Sequence, residues 1–407
     1  MAKTLIIASS YPRHDGDYAV PWMREAIRHL VSAGNEIQVL APSFRGLKDH
    51  TIDGVRVRRF RYAPRNLEVL THEEGAPNKI NRPWMQALAV PYLVAGVRAA
   101  RRIAKQESFD VVHCHWPFPH APMAQAAANA CGAAVVANCH GAELAIGRRK
   151  WWVARALQRA LTSADALAAN SSHTAETMQK LSGRTATVLP YGSTATATGE
   201  RPSTANNPPV ILLTGRLIQR KGVEYLVEAV PHILAHKQVR VVITGDGDRT
   251  PHIRQKIERL GLSAVIEMAG FVTQERLAEL YRTSDVYVLP AVYDDRGDTE
   301  GLGVTTIEAF ANLVPVVASA VGGILDVVED RVTGLLVPEK DPPALAEAIL
   351  EMLDDPELAQ RLALAARDRA KQRFDWGRIT QETVAVWEEA IRNRNSGRAR
   401  EPASCRA

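Results

Sequence analysis

The sequence predicts an α/β protein of two doubly wound, parallel-sheet domains in tandem. Three observations predict it. Short apolar runs without polar alternation, such as Thr4–Ser9 (TLIIAS), Glu36–Ala41 (EIQVLA) and Val286–Leu289 (VYVL), fit strands buried on both faces. Segments of helical period separate such runs, so the chain reads as a repeated βα series. The series runs twice, and residues Ser193–Pro209 (STATATGERPSTANNPP), rich in Thr, Ala, Asn and Pro, lie between the two as a linker.

The first series opens with strand Thr4–Ser9. A helix follows over Trp22–Ala33, where Met23, Ile27, Leu30 and Val31 share one side and Gly34 is the stop signal. After strand Glu36–Ala41 come strand Phe109–His113, an Ala-rich helix Ala121–Ala130 ended by Gly132, and strand Ala133–Ala137. Helix Trp152–Ala160, strand Ala166–Ala169 and Thr187–Pro190 close a domain over residues 1–192. The second domain, residues 210–373, starts at strand Val210–Leu213. It continues through helix Val223–Leu234, strand Val239–Thr244, helix Ile253–Leu260, strand Val265–Met268 and helix Arg276–Arg282 to strand Val286–Leu289. Helix Thr305–Ala311, strands Val314–Ala318 and Gly334–Val337, and helices Pro343–Leu353 and Glu357–Arg373 complete it. A last amphipathic helix, Trp376–Arg392, has Ile379, Thr383, Val386 and Trp387 in step, and the polar tail 394–407 reads as disordered.

With 46% apolar and 23% charged residues in 407, the composition is that of a soluble globular protein. The net charge of +5 allows an anionic partner, but no zinc finger, RRM signature or long basic run points to nucleic acid. The four cysteines show no CxxC spacing and read as reduced thiols of a cytoplasmic protein. The apolar start runs directly into Tyr11-Pro12-Arg13, unlike a signal peptide, and the longest apolar stretch, Ala87–Val97, is too short to span a bilayer. Two basic, Trp-containing segments, Arg148–Trp152 and Trp84–Lys105, suit peripheral contact with an anionic membrane. A solvated basic helix face is the plainer reading of both.

The densest chemistry is Glu300-Gly301-Leu302-Gly303-Val304-Thr305-Thr306-Ile307-Glu308. Glu300 falls in the loop after strand Val286–Leu289 and Glu308 within the next helix. Gly301 and Gly303 let the backbone approach a ligand. The amides of Val304, Thr305 and Thr306 point from the helix start, where donors and dipole favour an anion such as a diphosphate. Glu308 is then placed for a ribose diol and Glu300 for sugar hydroxyls. Alone, two such glutamates would be solvated surface charges. A second motif, Thr214-Gly215-Arg216-Leu217 with Lys221-Gly222, follows the first strand of its domain. Gly215 allows a tight turn, and Arg216 and Lys221 bring two cations to a helix start. A third, Gly245-Asp246-Gly247-Asp248, is a weak signal alone, since it lacks the third glycine of a dinucleotide fingerprint. His113, Cys114, His115, Cys139 and His140 match no zinc spacing, so core or ligand-contacting roles compete there.

The Glu300–Glu308 segment resembles the EX7E motif of family 4 retaining glycosyltransferases. Val314–Val337 (VPVVASAVGGILDVVEDRVTGLLV) is similar to the stretch that follows it in that family, with two departures: Asn312-Leu313 where Cys-Gly or Ala-Gly is common, and Arg331 where glycine is usual. Gly215-Arg216-Leu217 with Lys221-Gly222 resembles the family's G-R-L…K-G signature, and the likeness extends from Leu5 to about Arg392. It implies the GT-B architecture: two Rossmann-like domains facing a central cleft, with the first, completed by helix 374–393, binding the acceptor and the second the donor. It implies metal-independent, cofactor-free transfer from a nucleoside diphosphate sugar to a sugar or lipid-linked hydroxyl. By the same likeness, Glu300, Glu308, Arg216, Lys221 and His140 form the catalytic set. Gly215, Gly245, Asp246, Gly247, Val272, Gly301, Leu302, Gly303, Val304 and Thr305 surround the donor, with Gly270-Phe271-Val272 beside the base. Gly16, His115 and Glu143 of His140-Gly141-Ala142-Glu143 line the acceptor side, although the N-terminal loop lacks the family's Gly-Gly pair. Cell-envelope glycolipid or exopolysaccharide assembly, on the cytoplasmic face of the inner membrane, fits such a chain. A non-catalytic sugar-nucleotide-binding protein and a nucleotide-sugar epimerase share the architecture.

Overall fold

The computed structural model describes residues 1–17, 19–72, 83–193 and 206–397. The side chains of Pro83 and Trp84, most of the linker and the tail from residue 398 lie outside the described residues. The chain divides into two compact units, Met1–Pro190 with Trp376–Ala407, and Tyr191–Asp375.

The first unit contains β1 (Lys3–Ile7), α1 (Pro21–Ser32), β2 (Glu36–Pro42), β3 (His50–Ile52), β4 (Val55–Phe60), α2 (Pro83–Ala87) and α3 (Ala89–Gln106). It goes on through β5 (Val111–His115), α4 (Pro117–Cys131), β6 (Ala134–Cys139), α5 (Ala142–Arg149), α6 (Trp151–Ser163), β7 (Ala166–Ala169), α7 (Ser172–Ser182) and β8 (Thr187–Val188). The sheet order is β3-β4-β2-β1-β5-β6-β7-β8, and its pairings are parallel except β3 with β4. Successive residues of a strand face opposite sides. Leu5 and Ile7 therefore enter one core with α3, α4 and α6, while Ile6 and Ala8 enter the other with α1. Both sides are covered, which is why these strands read as unbroken apolar runs.

The β3–β4 hairpin extends the sheet beyond the strands the apolar runs predict. Its signal is Asp53-Gly54, both at positive φ (49° and 78°), a turn that favours those residues between alternating strands. Helix α4 begins four residues before the predicted one and stops at Gly132, which adopts the left-handed conformation.

The second unit contains β9 (Val210–Thr214), α8 (Val223–Leu234), β10 (Arg240–Thr244), α9 (Thr250–Arg259), β11 (Ile266–Gly270), α10 (Gln274–Thr283) and β12 (Val286–Leu289). It ends with α11 (Val304–Ala311), β13 (Val316–Ser319), α12 (Ile324–Val327), β14 (Leu335–Val337), α13 (Pro342–Asp354) and α14 (Pro356–Arg373). Its all-parallel order is β11-β10-β9-β12-β13-β14. Asp341 and Asp355 cap α13 and α14 through the amides of Ala344 and Leu358, each with a proline next to the cap. Asn206, inside the predicted linker, is already tied to this unit by its side-chain amide, which donates to Asp285 Oδ2 at 2.8 Å and Thr283 O at 2.6 Å.

The last helix, α15 (Trp376–Ser396), returns to the first unit. Trp387 is fully buried against the sheet beside Val136 and Ala168, and Asn393 donates to Asp165 O at 3.0 Å. The helix passes the predicted end at Arg392 and the predicted start of the disordered tail. Nothing in Asn393–Ser396 breaks a helix, and Gly397 stands at positive φ beyond it.

Candidate active site

Each sheet reverses its strand order once, at β1 between β2 and β5 and at β9 between β10 and β12. Loops at the carboxyl ends of neighbouring strands diverge at such a point and leave room for a ligand. In the second unit these are the loops after β9 and β12, which carry Arg216, Lys221 and Glu300.

Lys221 Nζ lies 2.8 Å from Glu300 Oε2, with each side chain 10% exposed. Arg220 donates to Thr299 O at 3.2 Å. Burial opposes the Glu300 charge, but Lys221 and Arg220 outweigh it and bring the carboxyl down to about 2. Burial also opposes the Arg220 charge, yet Glu300, Asp298 and Asp294 hold its guanidinium above the ordinary range. Arg216 is the most exposed cation of the group; partial desolvation of its guanidinium, then repulsion by Arg220, lower its pKa, and Glu300 opposes the shift. Lys221 and Arg220 thus hold one ionised carboxylate, and Arg216 lies near enough to feel its charge.

The neighbouring glycines are demanded by backbone packing. A Cβ on Gly245 would stand 2.0 Å from Gly215 O, and one on Gly247 2.2 Å from Leu217 O. Leu217 N donates to Asp246 O at 3.0 Å, so the turn after β10 lies directly on the loop after β9. Gly245 N donates to Gly270 O at 2.7 Å, which brings half-buried Val272 and exposed Phe271 to the same edge. Gly322 and Gly323 play the same part under the Glu300 loop: a Cβ on Gly323 would stand 2.0 Å from Gly301 O. Gly323 N also donates to Glu300 O at 2.9 Å.

Gly303, at φ 85°, turns the chain into α11. Val304 and Thr305 are half-buried at its start, but Thr306 N donates to Gly303 O at 2.9 Å. Two of the three amides predicted to face an anion therefore remain at the helix start, because Thr306 closes the first turn. Leu302 is 1% exposed and packs in the core with Leu289 and Ile324, so its side chain anchors the loop. Glu308 is buried one turn into α11. Its Oε2 accepts from Tyr281 Oη at 2.9 Å, and Tyr281 Oη also meets Thr214 Oγ1 at 2.9 Å. Tyr287 Oη donates to Thr305 Oγ1 at 2.6 Å. Tyr281 and Tyr287 thus link the ends of β9 and α11.

In the first unit, His115 ends β5 and His140 follows β6. His115 Nδ1 and His140 Nε2 share a hydrogen bond of 2.9 Å, and His113 stacks on His115 at 4.5 Å. Trp387 Nε1 donates to His113 Nδ1 at 3.0 Å, so the neutral His113 carries its proton on Nε2. Trp22 and Trp116 lean on His140 at 5.3 and 4.4 Å. Trp116 holds a left-handed backbone at φ 50°, fixed by its amide on Asn138 O and by its carbonyl, which accepts from His120 Nδ1 at 2.9 Å. Glu143 is 2% exposed and accepts from the His140 amide at 3.0 Å, which makes it a positioning group for the His140 turn. Gly16 is exposed with an ordinary φ, and a Cβ there would meet only the His14 ring at 3.6 Å. Asp17 organises that loop instead, accepting from Arg13 Nε at 2.6 Å and from Arg13 N at 2.9 Å. Among the described residues, no three His, Cys, Asp or Glu side chains are grouped to hold a metal ion.

Sequence reasoning missed Arg220, Tyr281, Tyr287, Trp22 and Trp116. Arg220 could have been found as the neighbour of Lys221. A single 3-10 turn, Gln219–Lys221, is what aims it at Thr299 and Glu300. The tyrosines carry no local signal, since they reach the site from another helix and strand.

Burial lowers His113 and His120 to about 4 and His140 to about 3, and pushes His115 well below its ordinary value. These folded-state values lie below that of an unfolded histidine, about 6.5. The stability they represent is present above pH 6.5 and is lost as pH falls through about 4. Each histidine adds a slope of up to about 1.4 kcal/mol per pH unit in that window. Urea unfolding at stepped pH should show this decline, and stability that stays level from pH 7 to 4 would exclude a buried neutral cluster.

A model described as Glycosyltransferase Family 4 matches residues 21–192, and one described as Glycosyl transferases group 1 matches residues 198–369. An uncharacterised glycosyltransferase of Methanocaldococcus jannaschii is 34% identical over 182 residues, 45% of each chain. The D-inositol 3-phosphate glycosyltransferase of Kineococcus radiotolerans is 30% identical over 391 residues, 86% of this chain and 85% of that one. Sucrose-phosphate synthase from Thermosynechococcus elongatus has the same fold, with a TM-score of 0.76 at 20% identity over 96% of this chain and all of that one. The Anabaena protein HepE, solved with UDP and glucose, superposes with a TM-score of 0.72 at 19% identity, over 95% of this chain and all of that one. Two parallel-sheet units, two family models covering them in turn and a relative matched across both lead to one conclusion: the chain belongs to family 4 of the glycosyltransferases and has the GT-B fold.

Proposed function

We propose that the protein transfers a sugar, with retention of its α configuration, from a nucleoside diphosphate sugar to a hydroxyl of a sugar or lipid-linked acceptor. The observation that carries this reading is the group of Arg216, Arg220 and Lys221 around ionised Glu300, beside the start of α11. A leaving diphosphate accumulates negative charge as the glycosidic bond breaks. Arg216 and Lys221, with the Val304 and Thr305 amides, are already in place to stabilise that charge, so no reorganisation is needed at the moment of reaction. Glu308, oriented by Tyr281, accepts from the ribose diol, and Glu300, held by Lys221, from sugar hydroxyls. The two cations and the helix dipole take the part a divalent metal plays elsewhere, so transfer proceeds without one. The departing phosphate takes the acceptor proton on the same face of the sugar, which preserves the configuration. The complex of HepE with UDP and glucose supports a nucleotide-sugar donor. The products are cell-envelope glycolipid or exopolysaccharide, made on the cytoplasmic side with peripheral contact to the inner membrane face.

The test is thermal stability with UDP, GDP, ADP and their sugar conjugates, without metal. A ligand that binds only the native state raises the midpoint by mass action. One nucleotide should raise it, with EDTA making no difference. Glu308→Ala should then lower turnover about ten- to a hundredfold, the worth of a charged hydrogen bond. No shift with any nucleotide, or full turnover in Glu308→Ala, would overturn the reading.

A further inference from the structure

In the first unit, α3, α4 and α6 cover one face of the sheet. Helix α3 runs alongside α4 in the same direction: Tyr92 Oη meets His120 Nε2 at 2.9 Å, and Gly96 packs one turn further along against Met123. Phe118, at a non-helical kink near the start of α4, meets Trp152 at the start of α6 edge to face at 5.7 Å. The three helix starts therefore share one edge, the carboxyl-end edge where His115 and His140 sit.

That edge is apolar where a globular surface is usually polar. Trp151 is 77% exposed and Trp152 50%, and Val90 and Val94 at the start of α3 are 68% and 42% exposed. The tryptophans follow directly on exposed Arg148, Arg149 and Lys150, and Lys150 Nζ lies 5.9 Å from the Trp152 ring. Behind this edge, Arg98, Arg101, Arg102 and Lys105 lie exposed along α3. No Asp or Glu occurs in Ala89–Gln106, Pro117–Cys131 or Trp151–Ser163, so the positive field of these three helices is not offset from within them.

We propose that this edge docks on an anionic lipid bilayer, with Trp151, Trp152, Val90 and Val94 at headgroup depth and Arg148, Arg149 and Lys150 against the lipid phosphates. Tryptophan prefers that depth, where its ring is apolar and its N–H is hydrated. The cations lie directly beside exposed Trp151 and Trp152, a pairing of charge and apolar surface that matches a lipid interface better than a soluble anion. Among the described residues, no helix is long and apolar enough to cross a membrane, so contact is along the surface. The docking would hold His115 and His140 close to a lipid-linked acceptor, a step that rests on the transfer reading above.

The experiment is co-sedimentation of the full chain with sucrose-loaded vesicles of phosphatidylcholine, with or without phosphatidylglycerol. Wild type should sediment with the anionic vesicles only, and less so at high salt. Replacing Arg148, Arg149 and Lys150 together by alanine should weaken partitioning on the order of a hundredfold. Trp151→Ser should weaken it even at low salt, where charge alone would suffice for a soluble polyanion. Both are surface changes, and an unaltered melting midpoint verifies the fold. No sedimentation, or sedimentation untouched by either change, would overturn the proposal. Binding to polyglutamate as tight as to vesicles would assign the surface to an acidic protein instead, and would also overturn it. Nucleotide-dependent melting of the same samples separates the two readings. A shift that persists without vesicle binding removes the docking alone, and its absence removes the transfer reading.

Discussion

Lys221→Ala should lower turnover about a hundred- to a thousandfold, the usual cost of removing a preplaced charge from a reaction that develops a negative oxygen. It should also destabilise the protein by roughly 3 kcal/mol, because Glu300 is left buried with its nearest cation gone. Above the ordinary carboxylate range the Lys221–Glu300 pair contributes fully. Its contribution is lost as pH falls through the folded-state value, about 2. In the variant, the Glu300 carboxyl should take up its proton at a higher pH. Lys221→Ala with Glu300→Gln removes both charges and should recover most of the stability but none of the turnover. Denaturant midpoints and steady-state rates on the two variants check this. Equal loss of stability in single and double variants would show that the pair is not what the fold relies on.

Gly222→Ala should be among the most damaging single-methyl changes in the second unit. The new Cβ would stand 1.7 Å from Pro290 O, and φ is +63°, so neither the methyl nor the backbone is accommodated. Displacing Pro290 disturbs the segment after β12 that leads to Glu300, while Gly222 itself follows Lys221. Val292 N donates to Arg220 O at 2.9 Å across the same gap. The expected cost is roughly 3–5 kcal/mol, from overpacking and left-handed strain together. Nucleotide-dependent stabilisation should disappear with it, because both loops shift. A melting midpoint within a degree or two of wild type would mean that the two loops do not pack as described. Gly261→Ala is the control: it has a similar φ of +69° but an open Cβ direction, and should show the backbone strain alone.

Leu313 and Arg331 both adopt positive φ, 57° and 60°, a conformation that favours glycine. Each left-handed backbone costs a non-glycine residue about 1–2 kcal/mol. The Arg331 amide still donates to Gly334 O at 2.8 Å, and its guanidinium pairs with Glu351 at the surface.

Several parts of the protein were determined by the sequence alone. Strands buried on both faces need continuous apolar runs, so β1, β2, β5, β6, β9, β10 and β12 announced themselves, and a βα alternation then permits only a parallel sheet. Gly132 marked the end of α4 because it acts on the nearest backbone groups. The cations at 216 and 221 and the glutamate at 300 were legible because each lies next to a glycine in a loop that follows a strand, and Glu308 because it falls in the helix that Gly303 opens.

What only the tertiary structure decided is which of these groups meet, and how much water they keep. That Lys221 closes on Glu300 while Arg216 stays exposed depends on the adjacency of β9 and β12, which are more than 70 residues apart. Tyr281 reaches Glu308 from a different helix, and Trp387 sets the proton on His113 across 274 positions. Leu302 and Glu143 are both buried, and Glu143 accepts from the His140 amide, neither of which their place in the sequence discloses. The physical reason is common to all of them. Local propensity and periodicity act over a few residues, whereas charge state, hydrogen-bond direction and solvent exposure are set by neighbours that long-range packing alone brings together.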